Sequence, residues 1–417
     1  MQIIADLHIH SRFSRACSKE ITIDNLEKYA RIKGLNLLGT GDFQHPKWIQ
    51  ELKSKLTEDD KGILRTKTGF PFLWQTEISL MYTKNNKGRK IHNVILAPNG
   101  EVVKQITDAL LKKGRIDYDG RPIFGFTSEE LVDMLISISD KCIIIPAHTW
   151  TPYFGIFGSM SGFDSVEECF GDKSKYIYAL ETGMSADPAM IWRLSKLDKY
   201  SVVSFSDMHS FWPWRIGREA TIFDIELSYN NIFKAIKDKK GLAGTIETDP
   251  GYGKYHFDGH RNCNVCMNPS ETVKNKGICP KCGKKLTIGV LHRVDELADR
   301  PEGFVPKNAL PFKKLIPLSE LIANIYDLGI TTKRVWEIYN KLIKEFSSEI
   351  NVMLNADEGA LKKIVHPLLA EAIINNRKGK IEVNPGFDGN YGIPVFKNKI
   401  KPQKSLADFQ SSSGKNS

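Results

Sequence analysis

Asp6-Leu7-His8-Ile9-His10 closes the first apolar run of the chain. Successive side chains of a strand alternate between faces, so His8 and His10 share one face and both imidazoles can reach one metal ion. Four further strand-like runs also end in cation-binding side chains: Leu37-Leu38-Gly39-Thr40-Gly41-Asp42, Phe72-Leu73-Trp74-Gln75-Thr76-Glu77, Ile143-Ile144-Ile145-Pro146-Ala147-His148 and Val202-Val203-Ser204-Phe205-Ser206-Asp207-Met208-His209. His92, within Lys90-Ile91-His92-Asn93-Val94-Ile95-Leu96, can point the same way. Ligands at strand ends converge when parallel strands close into a barrel, whose C-terminal mouth gathers side chains from distant parts of the sequence.

Helical apolar spacing between these runs, as in Ile23 to Lys33 and Ser128 to Ile138, predicts an α/β barrel over residues 1–240. Cys263-Asn264-Val265-Cys266 and Cys279-Pro280-Lys281-Cys282, twelve residues apart, read as a four-thiolate zinc ribbon in a lobe over 255–290. Four thiolates leave no position for water, so this zinc is expected to hold a fold together and to do no hydrolysis. Residues 291–397 are predicted as a mainly helical C-terminal domain, with helical spacing over Leu318 to Leu328, Thr332 to Phe346 and Glu358 to Asn376, the last broken at Pro367. Near its end Pro385-Gly386-Phe387-Asp388-Gly389-Asn390-Tyr391-Gly392 suits a tight loop approaching another backbone or a ligand. The Ser/Gly/Lys/Asn-rich end of 398–417 has the composition of a disordered tail.

The chain carries 59 Lys and Arg against 49 Asp and Glu, a formal charge of +10. That balance is unusual for a phosphatase of small anions and natural for a polyanion binder. From Gly251 to Lys314 twelve basic residues face six acidic ones, which places the excess on the ribbon and the segment after it. No apolar stretch approaches membrane-spanning length and the first residues lack a signal layout, so a cytoplasmic protein with no membrane partner is expected. Cysteines arranged for zinc rather than bridges agree with a reducing compartment.

The order and surroundings of the strand-end motifs resemble the PHP (polymerase and histidinol phosphatase) family of metal-dependent phosphoesterases. The resemblance implies a distorted (β/α)7 barrel in which His8, His10, Glu77 and Asp207 bind a first metal, and Glu77 bridges to a second held by His92 and His148. It sends His209 of the closing Asp-x-His to a third. The family often has a histidine after the opening motif and Thr-Asp-His on the second strand; here Ala16 and Gly41-Asp42 stand there, leaving Asp42 and His209, with His45 as a helper, for the third ion. His8, His10, Glu77, Asp207 and His209 then form the catalytic set, with two or three divalent cations (zinc, manganese or magnesium) and hydrolytic phosphoryl transfer as the reaction.

Barrel, ribbon and the Pro385 to Gly392 loop together resemble DNA repair endonucleases within that family. This implies cleavage on the 5′ side of deaminated bases (hypoxanthine, uracil, xanthine) and at abasic sites, with the lesion base flipped from the stack. A small-molecule phosphatase, a DNA 3′-end-processing phosphoesterase and a DNA-binding module on an inactive barrel stand as alternatives. Trp150 to Gly158 and Phe211 to Arg215 follow His148 and His209 and belong at the rim of the metal centre, either stacking on bases or packing on the barrel. In the tail, Gln403, Leu406 and Phe409 resemble the motif by which repair enzymes dock on a sliding clamp, the proliferating-cell nuclear antigen. The expected partners are therefore lesion DNA and that clamp, with the chain itself a monomer.

Overall fold

The computed structural model describes residues 2–400. Its barrel has seven staves. Gln2–Asp6 pairs in parallel with Leu37–Gly39, and that strand in parallel with Pro71–Leu73. The chain runs on through Trp74 into Gln75–Lys84, which pairs with Lys87–Leu96; that strand pairs in turn with Ile143–Pro146. Ala179–Glu181 and Ser201–Val203 follow as a parallel pair. Ile9 bridges Met208 in parallel, while the buried Asp6 carboxylate accepts from Ser206 N at 3.0 Å and Gly217 N at 2.9 Å, tying the last stave to the first.

One stave corrects the expectation of parallel strands throughout. Lys87–Leu96 runs antiparallel to both neighbours. The cause is local: Asn85 and Asn86 form a two-residue turn with φ of 54° and 56°, the left-handed conformations a tight hairpin needs, and a tight hairpin leaves no room for a crossover helix. Outside the barrel, Ala220–Asp224 pairs antiparallel with Gln2–Asp6, Leu242–Glu247 pairs with it in turn, and Phe312–Lys314 adds in parallel, so the sheet continues beyond residue 240.

The helices form where spacing predicts. Ile23–Lys33 starts at Thr22, whose side chain accepts from Asn25 N, buries Ile23, Leu26 and Ala30, and stops at Gly34 with φ of 99°. In the C-terminal region Leu318–Ile325, Lys333–Phe346, Glu349–Leu354, Glu358–Ile364 and Pro367–Arg377 pack together. Pro367 starts a new helix rather than kinking one, since the first helical residue needs no N–H partner. Gln403, Leu406 and Phe409 lie outside the described residues. No helix among the described residues is long and apolar enough to cross a membrane.

A buried ion pair pins the helical region to the barrel. Lys33 Nζ donates to Glu349 Oε1 at 2.7 Å and to Pro213 O at 2.8 Å, and Glu349 also accepts from Leu318 N and the Tyr339 hydroxyl. Both side chains are nearly inaccessible. Glu349→Ala would strand a buried ammonium and is expected to cost ~3–5 kcal/mol, read as a lower denaturant midpoint. Replacing both residues by apolar ones (Lys33→Met with Glu349→Leu) should recover most of that loss; an unchanged midpoint in the single variant would remove the pair as the pin.

Candidate metal centre

The first stave ends at Asp6, but the Ile9–Met208 bridge keeps the backbone extended, so His8 and His10 remain on one face and both are buried. They meet side chains from four other staves, Glu77 and His92 from within two strands and His148 and Asp207 from beyond the ends of two others. His8, His10, Glu77 and Asp207 bring one donor atom each to within 4.8 Å of one another, and Glu77, His92 and His148 form a second such group. Glu77 belongs to both. Its Oε2 lies 3.2 Å from His10 Nε2, and its Oε1 lies 3.5 Å from His8 Nε2, 2.8 Å from His92 Nδ1 and 3.5 Å from His148 Nε2. Asp207 Oδ1 stands 3.1 Å from His10 Nε2 and 3.7 Å from His8 Nε2.

Backbone strain marks the same places. Asp42, His148 and Asp207, which follow three barrel strands, have φ of 41°, 31° and 45°. Such conformations persist only where surrounding structure holds them, and they cluster at functional sites. Gly183 helps to hold one of them: a Cβ there would lie 2.6 Å from His148 Cβ, so only glycine admits the histidine's position.

The donor set fits cations. His8 Nε2 is buried without a hydrogen-bond partner and belongs to the first group. Burial opposes ionisation of Glu77, yet His92, Arg121 and His8 hold its carboxyl well below the usual range; Asp207 is held low against burial by His209 and His10. Burial likewise disfavours a charged His8, but Glu181, Glu77 and Asp207 outweigh it and raise its pKa well above normal. Buried carboxylates that draw positive charge this strongly are suited to metal ions, which compete with protons for the same atoms. His92 behaves differently: burial pushes it down to about 3, keeping the imidazole neutral as a ligand must be.

Glu181 is the orienting residue that sequence reading missed. Its carboxylate lies 2.9 Å from His8 Nδ1 and accepts His148 N at 2.6 Å, fixing which His8 nitrogen faces the centre. The signal was available, because Ile177-Tyr178-Ala179-Leu180-Glu181 is another apolar run ending in a carboxylate.

The expected third ion has no ligand group among the described residues. Asp42 is occupied elsewhere: it accepts Ser11 N at 2.7 Å, Ser11 Oγ at 2.6 Å and Ser14 Oγ at 2.9 Å, and lies 3.2 Å from His10 Nδ1. It orients His10 rather than facing an ion. His209 lines the cavity with its Nδ1 turned to Asp207 O at 3.0 Å, and its ring lies 4.9 Å from that of His10. His45 is at the start of Pro46–Lys55, stacked on Phe13, and takes no part in either group.

Above the centre opens a cavity of about 670 Å³. Tyr153, Tyr255, Tyr391, Arg215, Arg218 and Lys254 contribute to its wall. Both rim loops divide their labour. Thr151, Tyr153 and Phe154 line the cavity, whereas Trp150 and Phe157 are buried against each other. Arg215 lines it too, whereas Trp212 and Trp214 stack at 5.4 Å and pack on Trp336 of the helical region.

Tyr391 arrives from the glycine-rich loop. Gly386 N donates to Gly251 O at 2.8 Å and Gly392 N to Tyr252 O at 3.1 Å, and a Cβ on either glycine would come within 2.2 Å of a carbonyl oxygen of the 251–253 segment. The lysine and arginine at its ring, Lys254 at 4.6 Å and Arg215 at 5.3 Å, form cation–π contacts.

In the ribbon lobe the ligand set differs from the expected four thiolates. His260, Cys263, Cys279 and Cys282 converge, with His260 Nδ1 3.4 Å from Cys282 Sγ. Cys266 is absent from this group. In the hairpin of Asp258–His260 with Val265–Met267, His260 pairs with Val265 and Gly259 with Cys266, so alternation sends Cys266 to the opposite face, 3.9 Å from Pro385 O. Burial would raise the Cys279 thiol, but the Lys281 and Cys282 backbone N–H groups and His260 bring it down to about 6, toward the thiolate a metal requires. Three thiolates and one imidazole can also close a tetrahedral sphere.

An α/β barrel whose mouth gathers two groups of candidate metal donors sharing Glu77 has the features that the resemblance to PHP-type metal phosphoesterases implies. The comparisons with known proteins narrow this. The chain aligns with protein YqxK of Bacillus subtilis at 30% identity, over 96% of its own length and 100% of the relative's. It superposes on the crystal structure of the lesion-specific endonuclease PfuEndoQ from Pyrococcus furiosus with a TM-score of 0.85 and 32% identity, covering 99% of each chain. It also superposes on endonuclease Q bound to a 27-mer duplex with an abasic lesion at the active site, with a TM-score of 0.86 and 32% identity over 96% of this chain and 99% of that one. The chain belongs to the endonuclease Q family. A family model described as the MJ0043 C-terminal domain matches residues 317–380. Protein MJ0043 of Methanocaldococcus jannaschii is 39% identical over 61% of this chain, and the match spans only 32% of that relative's length.

Proposed function

We propose that this protein is a metal-dependent DNA repair endonuclease that hydrolyses the phosphodiester on the 5′ side of deaminated bases (hypoxanthine, uracil, xanthine) and of abasic sites. The observation that carries this reading is the cavity, which joins ion-holding groups on one side to tyrosines and basic side chains on the other in a volume suited to an extruded nucleotide. The likeness to an endonuclease Q holding an abasic duplex supports DNA as the substrate.

His8, His10, Glu77 and Asp207 would hold one divalent cation, and Glu77, His92 and His148 a second, with zinc, manganese or magnesium suited to such mixed donors. When bound, such ions lower the pKa of water, polarise a phosphoryl oxygen and stabilise a leaving alkoxide. The chain's own groups do the rest. Glu181 and Asp42 fix the tautomers of His8 and His10 through their Nδ1 atoms. Arg215, Arg218 and Lys254 supply cationic contacts for backbone phosphates, and the tyrosines supply faces for a base. The Tyr391 phenol, raised by burial, is brought below its usual pKa by Arg218, Arg215 and Lys254, so its oxygen is suited to accept hydrogen bonds. A zinc held by the ribbon lobe would keep Lys274, Lys276, Lys281, Lys284 and Lys285 together as a backbone-gripping surface.

The test is a substrate panel for the metal-loaded protein: undamaged duplex, duplexes with hypoxanthine, uracil or an abasic site, and a small phosphomonoester. Cleavage 5′ of each lesion, leaving a 3′-hydroxyl and a 5′-phosphate, is expected, with the undamaged duplex intact. Preferential turnover of the phosphomonoester would replace this reading by that of a small-molecule phosphatase.

A further inference from the structure

Among the cations of the cavity wall, Arg121 reaches the carboxylate that both donor groups share. Arg121 Nη1 donates to Glu77 Oε2 at 3.0 Å, and its side chain, 22% exposed, lines the cavity. The loop that carries it is clamped. Gly120 N donates to Phe13 O at 3.2 Å, Gln44 Nε2 donates to Gly120 O at 2.6 Å, and Arg121 N donates to Asp119 Oδ1 at 3.0 Å. Immediately afterwards Ile123–Phe124 pairs in parallel with Ser79 and Leu80, on the strand that carries Glu77.

This loop occupies the region where a third ion was expected. A Cβ on Gly120 would lie 2.1 Å from Asp42 Oδ2 and 2.3 Å from Ser14 Oγ, so the loop rests directly on Asp42 and glycine is what permits the approach. Asp42 has its oxygens committed to Ser11, Ser14 and His10. Ala16, in the same cavity wall, brings no ligand atom. What remains is a guanidinium, a cation that cannot lose its charge at any working pH and that presents donors in a rigid fork.

We propose that Arg121 stands in for a third metal ion: one guanidinium nitrogen holds Glu77, and the remaining donors bind a non-bridging oxygen of the scissile phosphoryl group. The inference rests on the phosphodiester-cleaving role proposed above. An ion must be loaded from solution, whereas Arg121 is present in every molecule and already aimed. As charge builds on the phosphoryl oxygens in the transition state, a prepositioned donor of this kind contributes about 10²–10³-fold in rate.

Four measurements on the full chain test it, with Arg121→Ala and Arg121→Lys beside wild type. Metal analysis should find two divalent ions at the barrel of wild type and of both variants, besides any zinc in the ribbon lobe. Calorimetry with inorganic phosphate on the metal-loaded protein should show weaker binding in Arg121→Ala. Turnover of lesion duplex and of bis(p-nitrophenyl) phosphate should both fall in kcat by about 10²-fold. Millimolar guanidinium should restore part of the Arg121→Ala rate. A third barrel ion in wild type, loss of an ion in Arg121→Ala, or unchanged phosphate affinity would each overturn the proposal, the second by showing that Arg121 only holds Glu77 in place. If wild type leaves lesion duplex uncut while the phosphate and bis(p-nitrophenyl) phosphate responses appear as stated, the DNA reading fails and the role of Arg121 stands.

Discussion

Replacing Asp207 with alanine is expected to reduce strand cleavage to background while the variant still binds lesion duplex. Asp207 Oδ1 is the acidic atom near both His8 and His10, and it is the partly exposed member of its group, so it faces the reacting side of the centre. Affinity should come mainly from backbone phosphates bound by other parts of the chain. Single-turnover cleavage and gel-shift assays read the two properties separately. Glu181→Gln makes the comparison quantitative: it keeps every metal-facing atom but weakens the hold on His8 Nδ1, and it should lose about 10–100-fold. Cleavage by Asp207→Ala near the wild-type rate would remove this residue from the centre.

The second large effect is expected in the ribbon lobe. Cys279→Ser with Cys282→Ser should release one zinc per chain and weaken DNA binding, because the metal is what holds so small a lobe together. For every phosphate that the lobe no longer grips, the slope of log affinity against log salt should become shallower by about 0.9. Single variants test the ligand set: His260→Ala should lose the zinc and Cys266→Ser should keep it. Turnover of bis(p-nitrophenyl) phosphate, which needs no grip on a duplex, should persist in the double variant. If the double variant kept both its zinc and its DNA affinity, the lobe would have neither role.

An apolar run that stops at a polar donor made His8, His10, His148 and Asp207 legible as neighbours, whereas Glu77 joins them from inside Gln75–Lys84, a strand that runs on past it. Glu181 obeys the same rule and was readable. So was the reversed stave: Asn85-Asn86 between two alternating runs is the composition of a hairpin with left-handed turn residues. Other features were not legible for identifiable reasons. Cysteine spacing tells which thiols are near in the chain, but not which face of a hairpin each occupies, and so it could not separate Cys266 from His260. Asp42 matched the pattern of a ligand, and only the serines of the 11–14 turn, brought against it by folding, turned it to another task. Arg121 sits in a polar loop whose position is set by pairing with Ser79 and Leu80, a pairing that no local pattern announces.

The glycine contact between the 251–253 and 386–392 segments has a consequence for how the molecule is made. Translation delivers His8 and His10 early, completes the ion-holding floor by Asp207, and supplies Tyr391 only much later. A nascent chain therefore carries all the candidate metal-facing residues, and Tyr153, well before Tyr391 completes the cavity wall. Where the late loop crosses the 251–253 segment its glycines meet backbone carbonyls directly, and around that crossing Tyr391 packs on Tyr252, Lys254 and Arg215. A product ending before residue 382 would keep the floor and lack one wall, and its cleavage pattern on damaged and undamaged duplex would separate the residues that break the bond from those that choose where.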